Sequence, residues 1–213
     1  MKKTFLLLAT AALFSIASKS QAQDEQCFKV GSSAINLGVG VGNTVSYNSY
    51  NNNTNGYYNG PIGVGAAFTP AFTASYEYGI AHVGIGIIGA GLEFGFQGTH
   101  STSVYSNGDY DKQKWTTLAF SPRATYHFDF LNKKKLDIYA IVQLNIYSNS
   151  YSDNYRDNNN NIVPAYSNSS IGVRPGVMVA IRYFFVPNFG VFSELGYDIS
   201  IIKAGMSFKF GGK

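Results

Sequence analysis

The 213-residue chain carries 16 lysines and arginines against 12 aspartates and glutamates, with 13% charged residues and 16 each of tyrosine and phenylalanine. Lys2, Lys3 and Lys19 fall in an N-terminal segment that reads as removable, leaving 13 bases against 12 acids, too balanced for the clustered basic surface that nucleic acid requires. Cys27 is the only cysteine, which excludes a disulfide-stapled fold, and no later apolar run reaches the roughly 18 residues of a membrane helix.

Residues 1–22 have the layout of a secretory signal peptide. Lys2 and Lys3 open it, an apolar run follows from Phe5 to Ala17, and Ser20-Gln21-Ala22 supplies small residues where a signal peptidase cuts. The expected mature domain is 23–213. Cys27 follows Asp24-Glu25-Gln26, which lacks the small apolar residues of a lipid-anchor signal.

Period-two alternation, the mark of a strand with two unlike faces, then recurs along the chain. Strands are expected near 33–48, 60–78, 80–100, 114–130, 136–150, 167–185, 190–197 and 202–210. In the second, Ile62, Val64, Ala66, Phe68, Pro70, Phe72, Ala74, Tyr76 and Tyr78 form the greasy face, and Glu77 falls on the other. A tight turn is expected at Gly79. In the third, Val83, Ile85 and Ile87 share a parity with Glu93 and Gln97, which predicts a bulge or a register error there. Leu118, Phe120, Pro122, Ala124, Tyr126 and Phe128 continue the pattern, with Arg123 and His127 opposite. Leu136, Ile138, Ala140, Val142, Leu144 and Ile146 alternate with Asp137, Tyr139, Ile141, Gln143 and Asn145 for about 11 residues, the length of a tilted membrane crossing.

The polar face is rich in Gly, Ala, Ser and Thr, which suits a cramped interior better than a hydrated surface. Aromatics near strand ends, as in Tyr76 and Tyr78, Tyr126, Phe128 and Phe130, or Tyr183, Phe184 and Phe185, suit interfacial girdles. Long polar connections at 48–60, 101–113 and 151–166 alternate with short ones, as in an up-and-down barrel with external loops and periplasmic turns. The expected fold is therefore all-β, a transmembrane antiparallel up-and-down β-barrel of eight strands.

The signal peptide, the opening Gly38-Val39-Gly40-Val41-Gly42 and the ending carry a resemblance. That ending runs through Phe192, Glu194 and Tyr197 to Met206, Phe208 and Phe210. The whole mature chain resembles the small outer-membrane β-barrel family of Gram-negative bacteria, of the OmpA/OmpX-like eight-stranded type. The resemblance implies that the alternating terminal residues ending on an aromatic are read by the barrel-insertion machinery. Gly211-Gly212-Lys213 extends past the point where the family usually stops.

Several motifs have bland readings. Gly84, Gly86 and Gly89 match a dinucleotide-binding pattern but run on into strand, so glycines facing a narrow lumen are the better account. Asp157-Asn158-Asn159-Asn160-Asn161 starts like a calcium loop but has Ile162 where glycine belongs, and only loose cation binding by Asp153 and Asp157 would remain. His82, His100 and His127 do not cluster, although Ser101 beside His100 leaves a lipid-modifying enzyme as an alternative. No catalytic residue, metal or cofactor is assigned. The informative set is the inward charges Glu77, Glu93, Arg123, Arg174, Arg182 and Glu194, expected to form a lumen network. The expected role is a non-enzymatic platform in the outer membrane, held among its lipids, with a surface ligand at the external loops. A narrow pore for small solutes is the first alternative.

Overall fold

The computed structural model describes residues 27–43, 63–68, 70–104, 108–129, 134–156 and 166–212. The expected signal peptide and the whole of the 48–60 connection lie outside them. The strands are β1 (Ser32–Asn43), β2 (Gly63–Phe68), β3 (Ala71–Val83), β4 (Gly86–Val104), β5 (Tyr110–Phe128), β6 (Leu136–Arg156), β7 (Tyr166–Val186), β8 (Phe189–Tyr197) and β9 (Ser200–Gly211). β2 and β3 both pair with β4 and are two halves of one stave, so eight antiparallel staves form the ring. The ring closes where β1 meets β9, from Ser32 opposite Gly211 to Asn43 opposite Ser200.

Between the halves the pairing slips by one residue, from Phe68 opposite Thr99 to Phe72 opposite Phe96. The unbroken alternation expected from Ile62 to Tyr78 therefore changes phase beside Pro70, which has no N–H to give the ladder.

Elsewhere the greasy parity faces out and the small and polar parity faces in. Phe72, Phe94, Leu118, Leu144 and Val177 are exposed, while Thr73, Gln97, Ser121, Asn145 and Ser207 are buried. This inverts a soluble barrel and gives the outside an apolar belt. Tyr126, Phe128, Tyr183 and Phe185 form edge-on aromatic pairs on that outer side, but Phe184 points inward and is buried.

Three boundaries differ from expectation. The β3–β4 turn is not at Gly79 but at Gly84-Ile85, a two-residue hairpin loop whose glycine holds a φ of 65°. The bulge sits at Gly79–Ala81 of β3, not in β4; Ile85 falls in the turn and Ile87 is a true inward residue. At Gly79 the Gly31 N–H donates to its carbonyl at 2.9 Å, and a Cβ would run into Lys29. Strand also continues through 101–104, 110–113 and 151–156, all expected as loop.

Candidate functional site in the sealed lumen

Eight staves enclose an interior that side chains can fill. The inward parity brings charged groups from seven of the eight staves onto that axis, where they form two knots. In the lower knot, nearer the short turns, Arg182 on β7 donates to Asp137 at 2.9 Å and to Glu77 across the lumen. His127 lies 3.0 Å from Asp137 and stacks between Phe28 and Tyr139, at centroid distances of 4.0 and 4.9 Å. In the upper knot, Arg123 on β5 donates to Glu93 at 3.1 Å and to Glu194 at 3.0 Å. Lys203 on β9 donates to Glu93 at 2.8 Å and to Asp198 at 2.6 Å, and its ammonium is ion-paired with Glu194 at 2.8 Å. Tyr139 links the knots: Arg182 donates to its hydroxyl at 3.2 Å, and that hydroxyl donates to Glu194 at 3.4 Å.

Burial makes these pairings stringent, because an unpaired charge in such a site costs several kcal/mol. Arg182 and Arg123 expose 0% and 4% of their surface, and the carboxylates of Glu77 and Glu194 are equally enclosed. Above the knots a hydrogen-bonded tier continues, with Ser121 donating to Asn145 at 2.6 Å and Gln143 to Asp198 at 2.7 Å.

The N-terminal segment closes the short-turn mouth. Phe28 is 3% exposed, packs with Ala34 and Ile87, and lies under the Arg182 guanidinium at 5.8 Å. Lys209 holds the segment by donating to the Cys27 carbonyl. Burial, with the Asp137 charge adding to it, pushes the Cys27 thiol up to about 12, so it is an inert thiol at neutral pH.

A barrel with a greasy outside and a closed polar inside is a membrane object. A family model described as outer membrane protein beta-barrel domain matches residues 6–211. The chain belongs to the outer membrane β-barrel family. That family places it in the bacterial outer membrane. No curated protein matches the chain. Among solved structures it is similar to Ail, the attachment invasion locus protein of Yersinia pestis. Identity is 12% and the TM-score 0.38, over 85% of this chain and 99% of that one. The same protein in complex with the heparin analogue sucrose octasulfate gives 11% identity, TM-score 0.38 and the same coverages.

Within this family barrel, Glu77, Glu93, Arg123, Arg182 and Glu194 lie together in the knots, whereas Arg174 lies apart from them. Arg174 donates to the Asp198 carbonyl at 2.6 Å and to the Tyr197 hydroxyl at 3.3 Å, and sits 4.8 Å over the Tyr197 ring. Asp137, Asp198 and Lys203 are network members that the sequence reading did not single out. The histidines are scattered. His82 meets Asp129 at 2.8 Å, and His100 is exposed on the outer face. His127 joins Asp137 to the Thr125 hydroxyl at 3.0 Å on each side, an acid–base–hydroxyl chain. Phe28 stacks on its ring and Glu77 lies 3.8 Å away, so that chain is packed among buried side chains. Asp153 accepts from the Tyr151 hydroxyl at 3.1 Å, and Asp157 lies outside the described residues.

Proposed function

We propose that the protein is a non-enzymatic surface platform: a closed barrel that carries a rising β-sheet beyond the membrane as a contact surface. In this reading the signal peptide directs export and is cleaved after Ala22, the insertion machinery assembles the barrel, and the long connections face outward. The observation that carries the proposal is the unequal height of the staves. β8 first pairs with β7 at Val177 opposite Tyr197, so Tyr166 to Gly176 of β7 pair only with β6 among the described residues. That is about ten residues of one-sided strand, roughly 30 Å of backbone. β4, β5 and β6 rise with it, while β8 and β9 meet at the short connection after Tyr197.

An unpaired strand edge is a template for adding another strand. The run Tyr166-Ser167-Asn168-Ser169-Ser170 has no charged residue to discourage such pairing. Loops and edges on a rigid scaffold are also where binding residues usually lie. The test is adhesion. Cells displaying the chain should bind protein-coated surfaces more than cells with an empty membrane, and Asn168→Pro/Ser170→Pro should abolish the gain without changing the heat-sensitive gel shift of the folded barrel. Equal adhesion by the variant would remove β7 as the contact edge.

A further inference from the structure

Above the belt, the inner face of the rising sheet carries acids and no base among the described residues. On β4 the inward parity holds Thr99, Ser101 and Ser103, and β2 beside it has no titratable residue. On β5 and β6 the same parity holds Asp111 and Asp153. Asp109, buried just ahead of β5, is a further acid, and Tyr155 and Tyr166 stand in register opposite Asp111 and Asp153. His100, Lys112, Lys114 and Arg156 fall on the outer parity, where Arg156 lies 5.6 Å over the Tyr110 ring. Asp111 comes seven residues above Leu118, roughly 23 Å along the strand, and so stands clear of the membrane.

The two aspartates are diagonal neighbours, since Asp111 is opposite Tyr155 and Gln113 is opposite Asp153. Side chains so placed, roughly 7 Å apart at the backbone, can reach each other, and these two carboxyl groups do. Each uses one oxygen locally. Oδ2 of Asp111 accepts from the Gln113 amide at 3.0 Å, and Oδ2 of Asp153 accepts from the Tyr151 hydroxyl at 3.1 Å. The other oxygen of each, Oδ1, is enclosed, and no donor reaches it. Two carboxylates this close and partly buried do not both keep a charge readily. One proton held between them answers both deficits, as the strong O–H···O⁻ bond of a carboxyl–carboxylate pair.

We propose that Asp111 and Asp153 hold one proton between them as a latch across the β5–β6 ladder, closed in mildly acid surroundings and opened when the proton leaves. Closed, it ties the upper ends of the two strands together. Open, it sets two like charges on neighbouring strands, and those ends separate. Burial, then the hydrogen bond and the charge of Asp153, push the Asp111 carboxyl from 3.8 up to about 7. The pair titrates as a unit. Between about pH 4 and pH 7 the folded sheet therefore keeps a proton that the unfolded chain has lost. The stabilisation is full below that window, falls as pH rises through it and is gone above it. The inference concerns the order of the sheet and holds whether or not a partner adds to β7.

The experiment is amide hydrogen exchange on the purified chain refolded into phosphatidylcholine nanodiscs, with rates corrected for the intrinsic effect of pH. From about pH 5.5 to about pH 8.5, protection of the amides in 110–113 and 151–156 should fall roughly tenfold, less than the full shift would give because the pair is partly exposed. Amides of 118–128, within the belt, should keep theirs. Asp111→Asn, whose amide can donate to Asp153 at every pH, should hold the acid level of protection throughout, with the heat-sensitive gel shift unchanged. In the wild type, the labelled carboxyl carbon resonance that this variant lacks should titrate near 7. Flat protection in the wild type, a pH dependence that survives Asp111→Asn, or a resonance titrating near the ordinary 3.8 would each overturn the latch. So would calcium ion restoring full protection in the alkaline wild type, which would make the pair a cation site.

Discussion

Parity along a strand decides which side chains meet inside the barrel, and height along its axis decides which of them bond. Arg123 and Arg174 have the same inward parity, yet Arg123 sits between the carboxylates of Glu93 and Glu194 while Arg174 donates to the Asp198 carbonyl and lies over the Tyr197 ring. Arg123→Ala should therefore cost roughly 3–5 kcal/mol by leaving Lys203 as the one cation against both Glu93 and Glu194 among the pairs of the upper knot. Arg174→Ala, which removes ring contacts and a carbonyl bond near the edge, should cost about 1 kcal/mol. Urea unfolding in detergent micelles measures both; equal losses would mean that the upper knot is not a buried network. The sequence made the parity legible and the height not. Asp137 and Lys203 were also within its reach, since Asp137 alternates with Leu136 and Ile138, and Lys203 shares its parity with Ser207. Asp198 was not, because it lies in the β8–β9 connection and no periodicity assigns a turn residue to a lumen.

At the scale of elements, the belt was readable and the strand ends were not. Hydrophobic alternation exists only where one face meets lipid. Past Leu118 on β5 or Ile146 on β6 the outer face is no longer greasy, so the composition of 110–113 and 151–156 resembles loop although the backbone ladder continues, Lys112 opposite Asn154. Gly79 misled for a related reason: a glycine among strand residues signals a turn or a close approach, and here the N-terminal segment approaches. The seam supplies a sharper test. Gly205 of β9 faces Gly38 of β1, and a Cβ on Gly205 would collide with the Leu37 carbonyl. Gly205→Val should block closure, giving loss of the heat-modifiable band and protease sensitivity of the inserted chain. A normal gel shift for that variant would show that the seam tolerates a wider spacing.

For the whole molecule, the two knots and the Phe28 plug predict silence in a planar bilayer, and steady single-channel openings would restore the pore reading. The same ion pairs matter even if nothing passes through. Several of them join staves that are not neighbours: β7 to β3, β5 to β8, β9 to β4. A hoop held only by its rim keeps its circumference but can be squashed into an oval. Spokes of fixed length remove that freedom. Lateral pressure from the bilayer should then tilt this barrel rather than deform its cross-section, and the curvature of the sheet standing above the membrane would stay constant as the membrane around it changes.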